Sequence, residues 1–62
     1  MEHAIFTQNG TLEDHGEVVA TFQKGDKVAV IGDFYGLVKV FILEGTAANH
    51  TANVDPTLVE FI

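Results

Sequence analysis

Leu37-Val38-Lys39-Val40-Phe41-Ile42-Leu43 is the longest run of β-branched, aromatic and aliphatic residues in the chain, and its length and composition predict a strand. Successive side chains on a strand point to opposite faces. Val38, Val40 and Ile42 therefore share one side, and Leu37, Lys39, Phe41 and Leu43 share the other. Both sides are apolar except at Lys39. A strand with one face in water alternates more cleanly, so the run predicts a core face and a second face at an interface. Leu37, Lys39, Phe41 and Leu43 are the candidate contacts of a homo-oligomer. Burying Phe41 and Leu43 there would be worth about 1.5–3 kcal/mol each.

Outward from this run the pattern is the same: short apolar runs broken by turn residues. Strands are predicted over residues 4–7, 18–22, 27–31, 50–54 and 59–62. Asn9-Gly10 and Lys24-Gly25-Asp26 read as tight turns, because Asn and Gly tolerate positive φ. Residues 12–17 read as an acidic loop, 32–36 as a loop bounded by glycines, and 44–49 as a loop of small residues. Residues 55–58 can make one short helical turn. Strands this short, with frequent turns and no crossover helix, predict an all-β fold, a small five- or six-stranded antiparallel barrel.

The 62 residues hold one domain, and a domain of this size buries only about 60% of its unfolded surface. There is no Cys to staple it, so oligomerisation is the expected support. Nine acidic residues face three Lys and no Arg, for a formal net charge of −6. Nucleic acid and anionic membranes both select basic surfaces, so a protein partner is expected instead. Met1-Glu2-His3 lacks the basic start and apolar stretch of a signal peptide. The expected setting is cytoplasmic, or within a virion.

Three blocks, in order, resemble the Src-homology-3 domain. Ala4-Ile5-Phe6 looks like its opening Ala-Leu-Tyr strand. Phe22-Gln23-Lys24-Gly25-Asp26-Lys27-Val28-Ala29-Val30-Ile31 looks like its Phe-x-Lys-Gly-Asp-x-hydrophobic block. Pro56-Thr57-Leu58-Val59-Glu60-Phe61-Ile62 looks like its terminal 3₁₀ turn and last strand. Leu37-Val38-Lys39-Val40 sits where the family usually has two Trp and then Lys-Val. The resemblance implies a barrel and an aromatic shelf for proline-rich peptides. Of that shelf Phe6, Phe34 and Tyr35 are the candidate rings, while Gln8, Leu37 and Leu58 stand where the family carries aromatics or Trp. These departures predict no proline-rich peptide binding in the usual mode. The resemblance also implies that acids of the loop, Glu13, Asp14 and Glu17, pair with a basic group of the ligand. Read from the residues alone, the segment is either a solvated loop or a contact for a cationic patch of a partner.

No catalytic constellation is expected. The chain has neither Cys nor Ser, and Gly32 to Gly36 lacks the Lys-Ser/Thr of a phosphate cradle. His3, His15 and His50 have no local metal-site spacing, and the acidic loop lacks the ligand order of a Ca²⁺ loop. No cofactor or metal is expected. The reading is a non-enzymatic interaction or assembly module, such as a phage or virus structural or accessory subunit that self-associates. The alternatives are a divergent Src-homology-3-type peptide adaptor and an acidic inhibitor of a nucleic-acid-binding protein.

Overall fold

The computed structural model describes residues 2–62. It is all-β, with seven strands: β1 (Glu2–Phe6), β2 (Gly10–Asp14), β3 (Glu17–Phe22), β4 (Lys27–Phe34), β5 (Leu37–Ile42), β6 (Thr51–Val54) and β7 (Val59–Phe61). A single 3₁₀ turn, Pro56–Leu58, precedes β7. Five strands form one antiparallel sheet in the order β6-β5-β4-β1-β7, and β2 and β3 form a separate two-stranded sheet. Among the described residues the strand pairing closes no barrel: β6 and β7 stand at the two ends of the five-stranded sheet.

The extra strand lies where an acidic loop was expected. Glu13 pairs with Val18 and Asp14 with Glu17, which leaves a two-residue turn. His15 and Gly16 both have positive φ, 52° and 83°, the backbone sign of the type I′ turn that suits hairpin twist. The expected loop at 32–36 shrinks in the same way. β4 continues through Gly32 to Phe34, Phe34 pairs with Leu37, and Tyr35 and Gly36 turn with φ of 47° and 83°. A bulge between Val30 and Gly32 lets the longer strand follow its partner.

Asn9-Gly10 is not a positive-φ turn. Asn9 instead accepts a hydrogen bond from the Lys24 backbone N–H at 2.8 Å, and Gly10 opens β2 opposite Phe22. The Lys24-Gly25-Asp26 turn forms as read. Gly25 has φ of 93°, and the Asp26 N–H reaches the Gln23 carbonyl at 3.0 Å, as a type II turn requires.

The core lies between the two sheets. Ala4, Phe6, Val28, Val38, Val40, Ile42, Val54 and Val59 come from the large sheet, Phe22 comes from β3, and Ala47 plugs it from the β5–β6 loop. Leu12 and Ala20, opposite each other in the hairpin, pack against this cluster. Val38, Val40 and Ile42 thus form the core face of β5, as the alternation implies. Thr46 ties the β5–β6 loop to the hairpin by donating to the Thr21 carbonyl at 2.7 Å.

Candidate functional site

Beyond Leu12 and Ala20 the hairpin outruns the core. A register shift follows Leu12, and the far half of the hairpin carries Glu13, Asp14, Glu17, Val18 and Val19, all exposed. Between this half and strand β6 lies a cleft of about 610 Å³, within the size range of ligand sites. Its apolar lining is Leu12, Val19, Phe22, Ala52, Val54 and Leu58, and its carboxylates are Glu13, Asp14 and Asp55. No Lys is among the lining residues. The cleft therefore joins an apolar floor to an anionic rim.

Asp55 is held by its place at the start of the 3₁₀ turn. Its carboxylate accepts from the Thr57 backbone N–H at 2.9 Å and from the Thr57 hydroxyl at 2.7 Å. These bonds, the backbone one first, hold its carboxyl below the ordinary value of 3.8, because they favour the charged form. At the hairpin tip, His15 Nε2 lies 3.4 Å from an Asp14 oxygen. Both side chains are solvent-exposed, a setting in which such pairs contribute little stability.

The structure divides the residues singled out from the sequence. Glu13 and Asp14 line the cleft, and Glu17 sits opposite Asp14 on the same hairpin. Phe34 and Tyr35 meet edge to face at 4.6 Å on the β4–β5 turn. They lie outside the cleft lining, and Tyr35 is 92% exposed. Phe6 is corrected from platform ring to core residue. It is 0% exposed and stacks on Phe22 with ring centroids 3.8 Å apart. It shares the inward face of β1 with Ala4, so it has no surface to offer a peptide. On β5, Lys39 is exposed while Leu37 and Phe41 are half-buried on the outer face, and Leu43, just past the strand, is 41% exposed. Among the described residues, no three His, Asp or Glu side chains converge on a common point.

Val18, Val19 and β6 were not singled out from the sequence. Two adjacent valines beside Glu17 read as an ordinary strand start. Their exposure follows from the hairpin's overhang, which no local pattern encodes. No family model, curated protein or solved structure matches the chain.

Proposed function

We propose that this chain is a non-enzymatic protein-interaction module that takes a cationic, partly apolar segment of a partner protein into the cleft between the β2–β3 hairpin and β6. The carrying observation is the composition of that cleft, in which Glu13, Asp14 and Asp55 surround an apolar floor without a lysine. A chain of net charge −6 adds a long-range attraction for such a segment, screened over about 10 Å at 0.1 M salt. The Src-homology-3 resemblance is in keeping with this reading, because it implies that Glu13, Asp14 and Glu17 pair with a basic group of the ligand. Titration with a short lysine-containing peptide, followed by backbone amide shifts, tests the proposal. Shifts should centre on Leu12 to Asp14 and on residues 51–55, and should weaken with salt. Glu13→Gln with Asp14→Asn should weaken them further. Binding that is indifferent to charge and salt would remove the proposal.

A second reading, self-association through β5, is favoured by a separate observation. Its outer row keeps Leu37 and Phe41 half-exposed and Leu43 exposed, with exposed Phe34 paired opposite Leu37. Phe41→Glu should then turn an oligomer into a folded monomer in sedimentation. An unmodified chain that sediments as a monomer at high micromolar concentration would end this reading.

A further inference from the structure

The cleft does more than present charge, because one wall of it is a strand at the edge of the sheet. Strand β6 pairs only with β5. The Ile42 N–H donates to the His50 carbonyl at 2.9 Å. Antiparallel ladders alternate bonded and non-bonded pairs, and the register runs Phe41 to Thr51, Val40 to Ala52, Lys39 to Asn53 and Val38 to Val54. Ala52 and Val54 therefore face their backbone groups toward β5. Thr51 and Asn53 turn theirs outward. The neighbouring ladder agrees: Leu43 donates to the Lys27 carbonyl at 2.9 Å, so the odd-numbered residues of β5 bond to β4. Among the described residues, no loop or hairpin backbone group pairs with Thr51 or Asn53.

Sheet edges are normally blunted by charge, proline, a bulge or shortness. The other edge, β7, is three residues long and carries Glu60. β6 reads Thr-Ala-Asn-Val, with no charge and no proline, and no register shift breaks its pairing with β5. It is short, but its pairing is regular and its outer edge lies along the cleft.

Resting on the cleft reading above, we propose that the partner segment binds as an added β-strand, pairing its backbone with Thr51 and Asn53 while its side chains contact the acidic and apolar walls. Four residues of β6 span about 13 Å at roughly 3.3 Å per residue, which matches a short extended segment. The carboxylates at the rim select a cationic strand and disfavour a second copy of this acidic chain, which would bring its own Glu13, Asp14 and Asp55 against them.

The test uses a short blocked peptide of alternating Val and Lys, together with two versions N-methylated on either alternate set of amides, which keep the charge but each disable one pairing edge. The unmethylated peptide should bind, and hydrogen exchange at the Thr51 and Asn53 amides should slow by about tenfold or more. Methylating the set of amides that pairs with β6 should weaken binding at least about tenfold, as expected when backbone bonds go unmade, while the version methylated on the other set should bind as the unmethylated peptide does. Asn53→Pro removes an outward N–H that the ladder does not use, so it should fold and lose binding to the same extent. Equal binding of all peptides, with shifts confined to Glu13 and Asp14, would overturn strand addition and leave the acidic cleft standing. No binding of any peptide at low salt would overturn both. If Asn53→Pro fails to fold, that N–H is tied into the ladder and the proposal falls.

Discussion

Gly10 and Phe22 show how closely single residues constrain this core. They pair across the hairpin, and a Cβ built on Gly10 would enter the Phe22 ring. The ring cannot step aside, because its other face stacks on buried Phe6. Gly10→Ala should therefore cost about 1–3 kcal/mol, the usual penalty for overpacking, seen as a lower midpoint in chemical denaturation without a change of fold. Tyr35 presents the opposite case. It is almost wholly exposed yet sits at φ of 47°, in the left-handed region that most side chains avoid. Asn adopts that region at lower cost, so Tyr35→Asn should raise stability by about 0.5 kcal/mol, net of the lost edge contact with Phe34. A lower denaturation midpoint would contradict the assignment of strain to this turn. The sequence shows that Gly10 lies near a turn. It does not show that the glycine is needed for a ring twelve positions later rather than for its own φ.

At the scale of elements, the turns that depend on local chemistry are legible and the pairings are not. Lys24-Gly25-Asp26 turns as read because a glycine at the positive-φ position is a local requirement. The β2–β3 hairpin escapes a local reading because Glu13 and Asp14 are poor strand formers. Their pairing with Val18 and Glu17 comes from the His15-Gly16 turn and from Leu12 and Ala20 anchoring the base of the hairpin on the core. The 3₁₀ turn is set by Asp55. Its carboxyl is held below its ordinary value of 3.8, so its contribution to stability is fully present above that pH. The contribution is lost as pH falls through the depressed folded value. Asp55→Asn should remove this part of the acid dependence, so that wild type and variant converge in stability at the lowest pH and diverge above about pH 4. A constant gap across the range would show that the bonds to Thr57 do not depend on charge.

Over the whole molecule, the Cα radius of gyration is 10.4 Å, close to the roughly 10.5 Å expected of a folded domain of this length. The chain is as compact as its length implies, although the notably apolar composition, 47% hydrophobic, leaves Val18, Val19, Phe34, Tyr35, Phe61 and Ile62 substantially in solvent. Its net charge of −6 is spread over extents of 29 × 25 × 19 Å, and the single acid–base side-chain contact among the described residues is the exposed Asp14–His15 one. Self-repulsion should therefore dominate the electrostatics. Raising sodium chloride from about 10 mM to 0.2 M, which shortens the screening length from about 30 Å to under 10 Å, should raise the thermal midpoint; a fall would mean that attractive pairs outweigh repulsion. By itself the sequence determined the all-β class, the core face of β5 and the acidic character of the surface, because alternation, turn chemistry and charge are local or additive properties. Only the tertiary structure decided that Phe6 is core rather than platform, that residues 10–22 form a hairpin, and that β6 is an open edge facing three carboxylates. Those outcomes depend on which strands find each other and how far one sheet overhangs the next. Such arrangements bring together residues about forty positions apart, as Asp14 and Asp55 on the lining of one cleft, and no window of neighbouring residues contains them.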